Sequence, residues 1–223
     1  VTGVSRGLGR AMFELLVRDG RKPWGIGRRF TPDQTEAERR GACHLLRLDL
    51  SDDHADDALA MLRCVDASTD RIIFVNNAGV VTPIGKLESI ARQDLSASLA
   101  VNFFGPLLIA QHLLGYSKSL EIPLRILNIS SGAAKRAIPG WAAYCAGKSA
   151  ISMAFQCLAA EEPLVEAIDI DPGVLDTDMQ AEIRAAGVEH FPWLDEFVRL
   201  KQEKLLKDPA VVAKSIVSQW VLV

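Results

Sequence analysis

Thr2-Gly-Val-Ser-Arg-Gly-Leu-Gly9 opens the chain, and the reading of its glycines at positions 3, 7 and 9 decides the fold. Glycines let the main chain turn sharply and approach a pyrophosphate, and a following helix presents unpaired amides and a positive dipole end. The spacing is not GxGxxG, and alone it suits a plain strand-to-helix turn equally well. The chain beyond it alternates. Ala11 to Arg18 is apolar at helical spacing, Pro23 to Ile26 reads as a strand ending at Gly27-Arg28-Arg29, and Leu45 to Leu50 as another. Asp52 to Val65 reads as an exposed helix, and Arg71 to Val75 as a buried strand ending in Asn76-Asn77-Ala78-Gly79. A helix over Gln93 to Leu114 and a strand over Arg125 to Ile129 follow, then a helix over Gly140 to Ala160 and a strand over Val165 to Ile170.

This rhythm predicts an α/β fold: a Rossmann-type, doubly wound parallel sheet covered on both faces, with ligands at the carboxyl ends of its strands. Ser130-Ser131-Gly132 and Asp171-Pro172-Gly173 stand at two such ends. At 223 residues the chain fits one domain, 1–223. Almost no apolar strand precedes Gly3 and the sequence stops at Trp220-Val-Leu-Val223, so both termini read as clipped. Residues 179–208 break the alternation and are expected to form a helical lid over the substrate, with a polar helix, His190-Phe-Pro-Trp193, and a charged helix from Asp195 to Lys207.

A formal net charge of -3 argues against a nucleic-acid surface or a polybasic membrane patch. Apolar stretches such as Ile72 to Val75 and Pro106 to Ala110 are too short to span a bilayer, and no signal-peptide pattern is present. The expectation is a cytoplasmic protein with a small-molecule partner. Cys43, Cys64, Cys145 and Cys157 show no metal-binding spacing with the four histidines and read as reduced thiols; no metal is expected.

The strand ending Gly27-Arg28-Arg29 offers no carboxylate for a free ribose 2′-hydroxyl. Arg28 and Arg29, with Arg6 in the glycine loop, suit a 2′-phosphate, which predicts NADP(H). Asp49 is expected at the adenine or, equally, in a helix N-terminal turn. The expected contacts of this part are Gly3, Ser5, Arg6, Gly7, Leu8, Gly9, Arg28, Arg29, Asp49 and Leu50.

Tyr144 and Lys148 lie four apart, so on a helix both project from one face. An ammonium beside a phenol favours phenolate, and Lys148 is expected to bring Tyr144 into range as an acid/base for a carbonyl oxygen. Ser131, with Ser130 as a rival, is placed to hydrogen-bond the same oxygen.

These motifs, with Asn102 and Pro172-Gly-Val-Leu-Asp-Thr177, resemble the short-chain dehydrogenase/reductase family. Asn128-Ile-Ser-Ser-Gly-Ala-Ala134, Gly140-Trp-Ala-Ala-Tyr-Cys-Ala-Gly-Lys148 and Leu175-Asp-Thr-Asp-Met-Gln180 narrow the resemblance to its sepiapterin reductase and benzil reductase subgroup. The resemblance implies a catalytic set of Asn102, Ser131, Tyr144 and Lys148, with Ser131 chosen over Ser130, Lys148 also binding the nicotinamide ribose, and Asn102 kinking its helix and holding a water. Read without the family, Asn102 is a buried polar residue satisfied locally. The resemblance further places Asn77, Ala78 and Gly79 along the cofactor's middle, and Pro172, Gly173, Val174 and Thr177 at the nicotinamide. Trp141, Met179, Phe191 and Trp193 are candidates for an apolar substrate pocket, each also suited to plain core packing.

The implied activity is NADPH-dependent reduction of a ketone or vicinal diketone by a homodimer. The alternatives are an NAD-dependent alcohol dehydrogenase on the same site and an NADP-sensing binding protein without catalysis.

Overall fold

The computed structural model describes residues 1–52, 59, 62 and 69–222. Strands β1 (Trp24–Gly27) and β2 (His44–Arg47) pair in parallel, as do β3 (Ile72–Asn76), β4 (Leu124–Ile129) and β5 (Val165–Ile170). Val1 to Gly3 lie between the two groups. Ile26 N donates to Val1 O at 2.9 Å, Gly3 N to Ile26 O at 2.8 Å, and Thr2 N to Val75 O at 3.1 Å. The order across the molecule is therefore β2, β1, the Val1–Gly3 segment, β3, β4, β5, reversing direction of winding at the glycine loop, where such sheets bind ligands.

Period-two alternation distributes the core between two faces. Phe74, Leu124 and Ile126 are buried with Ile109, Ile151 and Phe155 on one side, while Val75, Leu127 and Ile129 meet Leu8, Met12, Ile216 and Val217 on the other. The helices on the first side are α4 (Gly105–Leu120) and α5 (Ala142–Glu161); those on the second are α1 (Gly7–Arg18) and α8 (Pro209–Ile216). Burying each of these larger side chains contributes about 1.5–3 kcal/mol, so a sheet covered twice is strongly favoured over one with an open face.

The structure departs from the sequence reading in three helices. An unexpected helix, α2 (Pro32–Arg39), buries only Gln34 and Ala37 and so has little apolar periodicity; its sequence signal is the Thr31/Gln34 capping box with Pro32 at the first turn. The helix expected from Gln93 is longer: α3 (Arg92–Leu99), a π-helical turn (Ala100–Phe104) and α4 form one run of 29 residues, long and apolar enough by length and composition to cross a membrane. Here it is a core helix, with Ile109, Ala110 and Leu113 packed in the central cluster. The charged lid helix, α7 (Leu194–Gln202), ends well before Lys207, which instead pairs its main chain with Val174 and Asp176. The polar lid helix is α6 (Asp178–Arg184). Most of the expected helix Asp52 to Val65, and Cys64, lie outside the described residues; Cys43, Cys145 and Cys157 are free thiols.

Candidate active site

One cleft of about 830 Å³ runs along the carboxyl ends of the strands, from Arg28, Arg29, Asp49 and Leu50 past the glycine loop to Ser131, Trp141 and Tyr144. Its floor fits a dinucleotide. Gly3 and Gly7 adopt left-handed φ of 71° and 56°, and α1 starts at Gly7 with no side chain capping its first turn. A Cβ at Gly9 would lie 2.3 Å from Asn77 Nδ2 and 2.4 Å from Gly3 O, so only glycine lets the helix seat against the loop. Thr2, buried beneath, accepts from the amides of Asn77 (3.0 Å) and Ala78 (2.9 Å), while Asn77 Nδ2 donates to Thr2 O (2.9 Å). That lacing joins the loop to the end of β3.

The expected positive cluster at the adenosine end is only partly assembled. Arg28 lies 3.7 Å from Asp49, whose carboxyl burial pushes up but the amide and hydroxyl of Ser51 and the Arg28 guanidinium hold low overall. Arg29 lines the same end. Arg6 does not join them: it reaches across the cleft to Asp178 (3.2 Å) and Glu182 (3.3 Å) on α6, because two carboxylates one helical turn apart outbid open solvent for its guanidinium. Asp49 serves in a turn, accepting from Ser51 N and Oγ at 3.0 and 2.7 Å.

At the other end, α5 presents Tyr144 and Lys148 from one buried face. The π-helical turn carries Asn102, whose Oδ1 accepts from Val80 N (3.0 Å) and whose Nδ2 donates to Val80 O (2.8 Å) and Ser98 Oγ (3.2 Å). Asn102 is thus both locally satisfied and at an irregular turn, as each reading of the sequence had it. Gly79 sits between the two helices: a Cβ there would be 3.1 Å from Asn102 Oδ1 and 3.6 Å from Lys148 Nζ. Gly147 allows the same closeness, since its Cβ would fall 2.8 Å from that of Asn102.

Lys148 is buried and donates to Ile129 O at 2.8 Å. Burial lowers it to about 8, with Asp169 working the other way. Behind it runs a chain of buried amides that motif reading passed over: Asn76 Nδ2 donates to Asn128 Oδ1 (2.9 Å), and Asn128 Nδ2 to Asp169 Oδ1 (2.6 Å), with Ser152 Oγ bonded to the same carboxylate. Two asparagines inside otherwise apolar strand ends were the available signal.

Tyr144 corrects a further expectation. Its phenol is pushed up to about 12, chiefly by burial; the nearby Ser131 hydroxyl opposes the rise, and Asp171 and Cys145 add to it. Burial outweighs the Ser131 hydrogen bond, so this phenol is held as an acid. Ser130 and Ser131 both line the cleft; Ser131 Oγ accepts from Ala133 N (3.1 Å), and Ser130 is the more deeply buried, with its amide bonded to Ile170 O (2.8 Å).

Pro172, Gly173, Val174 and Thr177 line the cleft opposite the loop, with Thr177 against Gly7. Lys207, which sequence reading left in a charged helix, braces this segment through Nζ to Pro172 O (3.2 Å). Of the four expected pocket residues, Trp141 and Met179 line the cleft. Phe191 does not: it is fully buried, stacked under Trp141 at 4.9 Å. Trp193 is likewise not part of the wall, and packs beneath the Arg136 guanidinium at 5.5 Å. Arg136, Ile138, Ile183 and Phe197 are lining residues that the sequence reading missed.

The short chain dehydrogenase family model matches residues 1–187. This chain belongs to the short-chain dehydrogenase/reductase family. It is 34% identical to a benzil reductase ((S)-benzoin forming) of Bacillus cereus, over 97% of this chain and 90% of that protein. A sepiapterin reductase of Bos taurus is 34% identical over 66% of this chain and 56% of that protein. Among solved structures, the KRED1-Pglu enzyme superposes with a TM-score of 0.84 at 30% identity, covering 98% of this chain and 92% of that one. As a member of this family the chain is an oxidoreductase of the carbonyl/alcohol type. In this short-chain dehydrogenase/reductase the described residues contain no cluster of His, Cys, Asp or Glu able to hold a metal ion.

Proposed function

We propose that this enzyme reduces a ketone or vicinal diketone with NADPH. The observation that carries the reading is that Ser131, Tyr144 and Lys148 line one glycine-floored cleft, with Ser131 beside Tyr144 and with Lys148 and Asn102 both close to Gly79. The glycine loop, Asn77 to Gly79, Lys148 and Pro172 to Thr177 would hold NADPH, which when bound would supply the hydride for the carbonyl carbon. The carbonyl oxygen lies between Tyr144 and Ser131. Tyr144, protonated over the whole neutral range, gives its proton to that oxygen as negative charge develops, and Ser131 donates a hydrogen bond to it. Lys148, titrating near 8 beside the cleft, is the group able to resupply the proton, and Asn102 fixes the turn it faces.

Arg28 and Arg29 favour the 2′-phosphate of NADPH over the free hydroxyl of NADH. Residues 179–208 act as the substrate lid, and Trp141, Met179 and Phe197 give the pocket an aromatic and apolar wall. The names of the similar proteins, benzil and sepiapterin reductases, support an aromatic carbonyl substrate. We place the enzyme in the cytoplasm as a homodimer joined through α4 and α5, with the exposed Phe104 and Met153 supporting that interface. Light scattering at micromolar protein should give twice the monomer mass; a monomer would refute the dimer.

The test of the activity is NADPH and NADH oxidation, followed by absorbance, with benzil, 1-phenyl-1,2-propanedione and sepiapterin. Turnover with NADPH is expected. NADPH binding without turnover of any of them would remove the reductase reading and favour a sensor.

A further inference from the structure

We propose that Arg136 is a specificity-determining residue that binds the second carbonyl oxygen of a vicinal diketone while the first is reduced. The inference rests on the reductase reading above and goes beyond it by assigning a residue to the part of the substrate that does not react.

Ser131 is followed by a tight 3₁₀ turn, Gly132–Ala134, in which Ala134 N donates to Ser131 O (2.9 Å) and Lys135 N to Gly132 O (3.1 Å). This turn folds Arg136 back over Gly132. A Cβ on Gly132 would stand 3.7 Å from Arg136 Nε and 4.0 Å from Nη2, so the guanidinium lies beside the serine loop. Its carbonyl oxygen accepts from Cys145 Sγ (3.7 Å), one residue beyond Tyr144. The ring of Trp193 supports the planar head at 5.5 Å. The Arg136 guanidinium thus lies next to the loop that carries Ser131, and it lines the same cleft as Ser131 and Tyr144.

Its donors are free for such a role. Of the other cleft arginines, Arg6 is paired with Asp178 and Glu182 and Arg28 lies near Asp49, while Arg29 stands at the far, glycine-loop end. Among the described residues no carboxylate lies within 4.0 Å of Arg136. Asp171 Oδ2 approaches Gly132 from another direction, also 3.7 Å from that Cβ, and Asp171 Oδ1 accepts from Gly173 N (2.9 Å). That neighbouring negative charge selects the ligand chemistry. A carboxylate on the substrate would be attracted by Arg136 but repelled by Asp171, whereas a neutral ketone oxygen feels mainly the guanidinium's directed N–H groups. In a vicinal diketone the second oxygen is on the adjacent carbon, within reach of a donor seated next to Ser131.

The experiment compares three substrates on one aromatic frame, 1-phenyl-1,2-propanedione, propiophenone and phenylglyoxylate, for the unaltered enzyme, Arg136→Met and Arg136→Lys. The expected result is a fall of at least tenfold in the diketone-to-monoketone ratio of kcat/KM in Arg136→Met, carried by KM, with partial recovery in Arg136→Lys. An unchanged ratio in Arg136→Met, with the unaltered enzyme active, overturns this inference alone. A preference of the unaltered enzyme for phenylglyoxylate that Arg136→Met abolishes also overturns it, in favour of an anion site. No turnover of any of the three by the unaltered enzyme overturns the reductase reading and this inference with it.

Discussion

The cofactor end and the substrate end of the cleft are built from different materials. Main chain builds the first: left-handed glycines, an uncapped helix start, and amides laced to Thr2. Side chains from distant segments build the second, where Trp141 stacks on Phe191 and meets Tyr144 and Phe197 edge-on at 5.5 and 5.4 Å. A main-chain site tolerates almost no change at its glycines. A side-chain site retains its shape class under many substitutions and alters its selectivity instead.

The sharpest way to break this comparison is Tyr144→Phe, which acts on chemistry at the substrate end and not on the cradle. It should lower kcat by about 10²–10⁴-fold while the NADPH dissociation constant, measured by fluorescence titration, stays within twofold. Retained turnover would remove Tyr144 as the proton donor.

Lys148→Met separates function from stability. Below pH 8 the buried ammonium keeps its proton in both states and the folded protein bears the full cost of its burial. Between about 8 and 10.5 the folded state has shed the proton and the unfolded state has not, so stability rises with pH; above 10.5 the difference is gone. The variant should therefore be inactive yet more stable by about 3 kcal/mol at pH 7, less whatever the lost bond to Ile129 O costs. Denaturant titrations at pH 7 and 10.5 should show the gain only at the lower pH; an equal gain at both would contradict the depressed lysine.

Gly9→Ala attacks the cradle. Contact with Gly3 O at 2.4 Å is with main chain, which cannot step aside cheaply, so the variant should lose about 1–3 kcal/mol of stability and bind NADPH at least tenfold more weakly. Gly115→Ala is the matched control: at an exposed position of α4 its Cβ meets nothing within 4 Å, and replacing a helical glycine should add up to about 1 kcal/mol. Thermal melts of the pair should move in opposite directions. Arg28→Ala has a selective effect: weaker NADPH binding with NADH little changed, since the lost guanidinium pairs with a 2′-phosphate and has no such partner in the free hydroxyl of NADH. Equal weakening of both would place the phosphate elsewhere.

How legible each end was follows from its construction. Gly3, Gly7 and Gly9 were readable because a φ near 70° and a backbone contact each demand a residue type, and residue types are what a sequence displays. Tyr144 and Lys148 were readable because helical geometry brings positions four apart to one face. The pairing of Arg6 with Asp178 and Glu182 was not readable because these partners stand more than 170 residues away and no local pattern joins them. Phe191 and Phe197 illustrate the same blindness: both are aromatic and lid-borne, yet only the second lines the cleft, and packing around Trp141 decided which.

By itself, then, the sequence determined the order of the five strands and of most of the helices between them, the glycine-floored cradle and the spacing of Tyr144 and Lys148, since these follow from local backbone preferences and periodicity. Only the tertiary structure decided that Tyr144 is held near 12 and Lys148 near 8, that Arg6 pairs with Asp178 and Glu182, and that Arg136 lines the cleft near the Ser131 loop. Each of these depends on burial, or on charges brought together from remote parts of the chain, and neither exists until the sheet has been covered on both faces.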